Sequence, residues 1–286
     1  MARYHAPTSV EEALRLLSTP EPPLVMAGAT DLYPAWTAQE SQGGRRYAGD
    51  LLDISRIEDL DHIHETKDHW WIGALTTWAT LMRAPLSPQF DGLKVAAREI
   101  GGMQIQNRGT IGGNICTASP AADSVPCLLA LDAEVTCAGG KRGRVPLAEF
   151  VTGPRRTALG PAELVTGVRI PKQPGHGHFL KLGARRHLVI SIVMVAGVID
   201  LDAESGRIRQ ARIALGAASP VAVRLKSLEA RLTGQMPSEV VVSDTDLAAL
   251  SPIDDIRASA EYRRAAAKTL VQDLIARAAQ GGEAAA

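Results

Sequence analysis

The chain of 286 residues is long enough for about two domains. With 45% hydrophobic and 22% charged residues it can bury a sizeable core, which excludes a disordered or fibrous chain. Lys plus Arg (31) balances Asp plus Glu (31) and aromatics are 4%, so no basic field or set of stacking platforms points to nucleic acid or an anionic membrane.

In chain order, Thr8-Ser9-Val10-Glu11 reads as a capping box. Val10, Ala13, Leu14 and Leu17 then form one apolar helical stripe, stopped by Thr19-Pro20-Glu21-Pro22-Pro23. Leu24-Val25-Met26-Ala27 is a short buried-strand pattern that runs into Gly28-Ala29-Thr30-Asp31, a turn able to expose backbone amides to a ligand. A second unit begins near Ile57. Trp70-Trp71-Ile72 predicts a strand, and Gly73-Ala74-Leu75-Thr76-Thr77 leads into a helix through Met82. Residues 93–100 predict a helix with Gly101-Gly102 as its stop. Residues 128–135 and 163–170 fit helix or strand, and 171–177 is the best linker candidate. Residues 189–201 and 208–215 are β-rich runs joined by a hairpin signal at 202–207. Leu270, Val271, Leu274, Ile275 and Ala278 mark an amphipathic C-terminal helix, and 281–286 reads as a frayed tail.

The longest apolar stretches, within 189–199, fall far short of the ~18 residues that span a bilayer. The opening Met1-Ala2-Arg3-Tyr4-His5 lacks the apolar core of a secretion signal, and three cysteines fit a reducing compartment. A cytoplasmic protein with no membrane span is expected.

Among the motifs, Thr110-Ile111-Gly112-Gly113-Asn114 stands out. Adjacent glycines remove the Cβ atoms that keep a diphosphate from the backbone, although tight turns also commonly carry them. Gly28-Ala29-Thr30-Asp31 has the same character, so two loops far apart in sequence could clamp one extended nucleotide. Asp123 could accept bonds from sugar hydroxyls or cap the following helix. No G-x-G-x-x-G or G-x-x-x-x-G-K-[ST] occurs, which removes support for a Rossmann site or a P-loop. Cys116, Cys127 and Cys137 fit neither zinc nor iron–sulfur spacing and read as small buried hydrophobes. His62-x-His64 and His176-x-His178 lack a third ligand, so no metal is expected. Asp200-x-Asp202-x-Glu204-x-Gly206 has Ala211 where a calcium loop requires Glu, and reads as a turn.

The run Ile100-Gly101-Gly102-Met103-Gln104-Ile105-Gln106-Asn107-Arg108-Gly109-Thr110-Ile111-Gly112-Gly113-Asn114, followed by Ala118-Ser119-Pro120-Ala121-Ala122-Asp123, closely resembles the FAD-binding medium subunit of molybdenum hydroxylases. That family includes xanthine, carbon monoxide and N-heterocycle dehydrogenases. Ala27-Gly28-Ala29-Thr30-Asp31-Leu32 sits where the family has its first flavin loop, with Ala29 in place of a usual glycine. Gly153-Pro154-Arg155-Arg156-Thr157 and Phe179-Leu180-Lys181-Leu182-Gly183-Ala184-Arg185-Arg186 extend the likeness over almost the whole chain.

The resemblance implies an α+β chain with a two-lobed FAD-binding domain of the vanillyl-alcohol-oxidase (PCMH) type at 1–173, lobes about 1–56 and 57–173, and a smaller α+β domain at 177–286. It implies that Val25, Met26, Ala27, Gly28, Ala29, Thr30, Asp31, Leu32, Thr110, Ile111, Gly112, Gly113 and Asn114 hold FAD, largely through main-chain donors around the diphosphate. Ile100, Asp123, Val165 and Lys181 would also contact flavin, and Arg185 could add positive charge beside it. No residue of this chain would be catalytic toward substrate. Electrons would arrive from [2Fe-2S] clusters of a small partner subunit, after substrate oxidation at molybdopterin in a large subunit, the expected assembly being a dimer of heterotrimers. They would leave to NAD, oxygen, a quinone or a cytochrome. The competing expectations are a stand-alone FAD-dependent oxidoreductase and a flavin-free assembly factor of the same fold.

Overall fold

A computed structural model describes residues 2–44 and 47–280; the tail read as frayed lies outside them. The chain opens with three short parallel strands, β1 (Tyr4–His5), β2 (Leu24–Met26) and β3 (Leu51–Asp53), in the order β1-β3-β2. Helices α1 (Val10–Leu17) and α2 (Leu32–Ser41) make the connections. The α1 stripe buries Ala13 and Leu17 against Leu52, Ile54, Ile57 and Leu60. Its cap falls one residue later than the motif suggested. Ser9 holds the extended conformation and accepts the Glu12 N–H (3.2 Å), while the Glu12 carboxylate accepts from the Thr8 N–H (3.0 Å). In contrast, α2 buries none of its residues.

The second sheet is antiparallel, with β4 (Ile63–Glu65), β5 (His69–Gly73), β10 (Leu164–Pro171), β6 (Glu134–Ala138) and β7 (Arg144–Pro146) in that spatial order. A small hairpin of β8 (Val151–Gly153) and β9 (Arg156–Thr157) lies apart from it. Helices α3 (Trp78–Arg83), α4 (Asp91–Glu99), α5 (Met103–Gln106), α6 (Ile111–Thr117), α7 (Ser124–Ala130) and α8 (Leu147–Phe150) belong to this part of the chain. Trp70, Ile72, Val168 and Ile170 of the sheet share one core with Trp78, Leu93, Ile115 and Leu128 of the helices. The ambiguous segment at 128–135 divides. Helix α7 ends at Ala130, Asp132 turns the chain with φ +50°, and β6 follows.

The third sheet runs β11 (His176–Leu182), β12 (Val193–Leu201), β13 (Ile208–Gly216) and β14 (Val223–Arg224), antiparallel throughout. Its central strand explains the long apolar run in the sequence. Met194, Ala196 and Val198 face the core of the second sheet, whereas Val193, Val195 and Ile199 face α9 (Lys226–Leu232) and α10 (Ala260–Ala278). A strand buried on both faces has no polar alternation to display. The first β-rich run was read from 189, but strand structure begins at Val193, after a loop in which Leu188 takes φ +52°. The acidic turn is a hairpin corner, in which Asp202 Oδ1 accepts from the Ser205 N–H (2.9 Å). The expected linker shrinks to 172–175, because β10 continues through Pro171. Buried Gln89 fixes it, donating to the Pro171 carbonyl (3.1 Å) and accepting from the Gln173 N–H (2.9 Å).

An ionic clamp ties the third sheet to the loop after α7. Arg224 donates to Asp132 Oδ1 (2.7 Å) and to the Leu129 carbonyl (2.9 Å), and Arg212 donates to Asp132 Oδ2 (2.7 Å). Among the described residues, no helix is long and apolar enough to cross a membrane.

His178 on β11 is half-buried, and burial, with His176 and Arg277 nearby, holds it down at about 4 against an ordinary 6.5. The folded chain therefore refuses a proton that the unfolded chain accepts. Stability should fall as pH drops from 6.5 towards 4, and His178→Gln should flatten that slope in denaturant titrations across the window.

Candidate functional site

The turn after β2 and the segment before α6 meet directly. A Cβ at Gly28 would lie 1.8 Å from the Arg108 carbonyl oxygen and 3.2 Å from Gly109 Cα, so only glycine permits this approach. Three residues on, Asp31 Oδ2 accepts from Thr117 Oγ1 at 3.3 Å, closing the other end of α6 onto the same turn. The two loops singled out in the sequence thus converge. Ala29 sits between these contacts with φ +59°, where alanine costs about 1 kcal/mol relative to glycine.

The loops differ in what they offer. The backbone N–H groups of residues 27–32 donate to no acceptor among the described residues. A run of unpaired amides in a left-handed turn, at the start of α2, is a cradle for an anion. At the second loop, main-chain donors were expected and are already used. The Ile111 N–H donates to Thr76 O (3.0 Å), Gly112 to Ala74 O (2.9 Å), Gly113 to Thr110 Oγ1 (3.1 Å) and Asn114 to Thr110 O (3.0 Å). Of the twin glycines, Gly112 serves packing instead. A Cβ at Gly112 would come within 2.7 Å of Ala74 Cβ, whereas one at Gly113 would meet only Thr110 Oγ1.

Gly113, Cys116 and Thr117 fall on one face of α6. Cys116 is accessible to solvent, which corrects its reading as a buried hydrophobe, yet surrounding protein pushes its thiol up to about 12. Of the other cysteines, Cys127 is buried and Cys137 half-buried.

Asp123 does not take the capping role foreseen for it. It stands at the start of α7 without a side-chain cap bond. Its carboxylate accepts from Lys181 Nζ (2.6 Å) and Ser191 Oγ (2.5 Å), and all three side chains are buried. Burial raises the Asp123 pKa, and the Lys181 ammonium opposes that rise. Lys181 comes from β11, so the third sheet supplies a cation to the helix that follows the second loop. Its neighbour Ser124 donates to Asn114 Oδ1 at 2.6 Å.

The remaining site residues divide. Val25 and Leu32 are half-buried beside the first loop, and Ile100 is half-buried at the C-terminal end of α4. Val165 is sealed in the core beside a bulge in β10, and Met26 and Ile111 are buried too, so these three side chains face inward. Arg185 folds back onto its own loop, donating to the Leu188 carbonyl. Ser124, Ser191 and Arg108 were missed because their roles rest on partners distant in sequence. Among the described residues, no group of three or more His, Cys, Asp or Glu is placed to hold a metal. His62 and His64 stack on each other and on Trp71 instead.

This α+β architecture brings a loop with free backbone amides against a second glycine-bearing loop, an arrangement suited to the diphosphate of a nucleotide. Comparison with known proteins agrees. A family described as the FAD-binding domain in molybdopterin dehydrogenase matches residues 1–173, and the CO dehydrogenase flavoprotein C-terminal domain matches 178–278. The medium subunit of nicotine 6-hydroxylase from Paenarthrobacter nicotinovorans is 33% identical over 284 residues, covering 96% of this chain and 95% of that one. The xanthine dehydrogenase FAD-binding subunit of Escherichia coli O157:H7 is 30% identical, covering 99% and 98%. Carbon monoxide dehydrogenase from Hydrogenophaga pseudoflava contains a chain that superposes with a TM-score of 0.86 at 30% identity, covering 97% and 96%. The chain belongs to the family of FAD-binding medium subunits of molybdopterin dehydrogenases, which are oxidoreductases.

Gly28→Ala should drive the Arg108 carbonyl away and open the junction of the two loops. FAD affinity should fall at least about tenfold, or ~1.4 kcal/mol, with the secondary structure intact by circular dichroism. Gly113→Ala, whose Cβ meets one hydroxyl, should cost less. Flavin titration of both variants checks the order.

Proposed function

We propose that this chain is the electron-relaying flavin subunit of a molybdenum hydroxylase. It would accept electrons from [2Fe-2S] clusters of a small subunit, which draw them from a large molybdopterin subunit, and pass them through FAD to an external acceptor. NAD, oxygen, a quinone or a cytochrome are the acceptor classes. The cytoplasm is the proposed location, a dimer of heterotrimers the proposed assembly. Residues 1–173, in lobes of about 1–56 and 57–173, would bind the flavin, with 177–286 as the C-terminal domain.

The observation that carries this reading is the unpaired amide run at 27–32 held against the Arg108–Gly109 backbone. Those amides suit the diphosphate of FAD, which supplies two-electron redox chemistry when bound. Val25, Met26, Ala27, Gly28, Ala29, Thr30, Asp31 and Leu32 would form this wall. Thr110, Ile111, Gly112, Gly113 and Asn114 would form the facing one, mostly through packing, with the Asn114 side chain as a polar contact. Ile100 and the main chain at Val165 would border the ring system. Lys181 would favour negative charge on the reduced ring, and Asp123 would hold its ammonium in place while offsetting part of its field.

Two measurements test this. The chain purified with its partner subunits should show flavin absorbance that bleaches when the substrate of the complex is added, while the chain alone should not turn over that substrate. Lys181→Met should lower the flavin midpoint potential by about 30 mV, the two-electron equivalent of ~1.4 kcal/mol, and Asp123→Asn should raise it. Equal potentials in all three proteins would place the pair away from the ring.

A further inference from the structure

The pair Ser124–Asn114 has a property that the flavin reading does not require. Ser124 is fully buried at the first position of α7, and its hydroxyl oxygen lies 2.6 Å from Asn114 Oδ1. That separation suits O–H···O and is shorter than an N–H···O bond normally reaches, so the hydroxyl donates and the amide oxygen accepts. The carboxamide is thereby fixed. Its Nδ2 is not sealed from solvent, and has no acceptor among the described residues. Asn114 is half-buried, on the helix whose backbone amides are all spent, so this side chain is a strong donor that α6 can still offer a ligand.

We infer that Ser124 is a positioning residue, which selects the donor end of the Asn114 carboxamide to meet an acceptor oxygen of the bound nucleotide. This rests on the reading of the cleft as the FAD site. Without the Ser124 hydroxyl, the amide can flip and present its carbonyl oxygen to an anionic ligand. Asp123 and Ser124, adjacent at the start of α7, then divide the labour. One orients Lys181 from the third sheet, the other orients Asn114 from the second loop.

The test is a double-mutant cycle on the full chain freed of flavin and titrated with FAD by fluorescence quenching, with thermal melts in parallel. Ser124→Ala should weaken binding about three- to tenfold, and Asn114→Ala by at least as much. The double variant should bind no more weakly than Asn114→Ala, because Ser124 acts through that side chain. Asn114→Asp keeps the acceptor for Ser124 but loses the donor, and should bind more weakly than Asn114→Ala. Should Ser124→Ala fail to fold, the two Asn114 variants carry the test, since Asn114→Asp binding as tightly as the native chain overturns the proposal. So does an unchanged affinity for Ser124→Ala, or losses that add fully in the double variant. A native chain that binds no FAD overturns the cleft reading itself, a result distinct from these.

Discussion

The Arg108 carbonyl oxygen occupies the space that a side chain at residue 28 would need. Much else in the site follows from that contact. With the backbone of the first loop pressed against the second, its amides lack the protein acceptors that would satisfy them in a strand or helix. Unpaired backbone donors are costly when buried, and they are tolerated here because residues 27–32 stay partly open to water. Ala29 shows how firmly the geometry is imposed, since the turn is left-handed even without a second glycine.

The site is completed from the other end of the chain. A buried ion pair is weak evidence for stability, because the desolvation of two charges offsets much of their attraction. The Asp123–Lys181 pair is better understood as a device for placing a cation. It requires the third sheet to dock against α7, which the Met194, Ala196 and Val198 face of β12 and the Arg224–Asp132 clamp both secure. Apolar packing thus sets where the Lys181 ammonium sits.

Much of this was legible in the sequence, for identifiable reasons. The helix at Val10 carried clear periodicity, the strand at Leu24 a short apolar run, and the two glycine-bearing loops advertised themselves by composition. Their convergence could be guessed but not read, because nothing local in Gly28 names Arg108 as its neighbour. The division of labour between the loops was misread for a related reason. Gly112-Gly113 looks like a phosphate loop, yet whether an amide is free depends on carbonyls at Ala74 and Thr76, some thirty-five residues earlier. Boundaries slipped where tertiary contacts override local signals, as at the loop before β12 and the strand end at Pro171. Ser124 and Ser191 gave no signal at all, since a serine becomes informative only when its long-range partner is known.

The central claim is that the anion is received by the free amides of residues 27–32, with the α6 amides already spent. Hydrogen–deuterium exchange of the flavin-free chain, with and without FAD, measures this directly. Exchange at 27–32 should be fast without FAD and strongly slowed by it, while 111–114 should be slow in both states. Unchanged exchange at 27–32, or FAD-dependent protection confined to 111–114, would contradict the account.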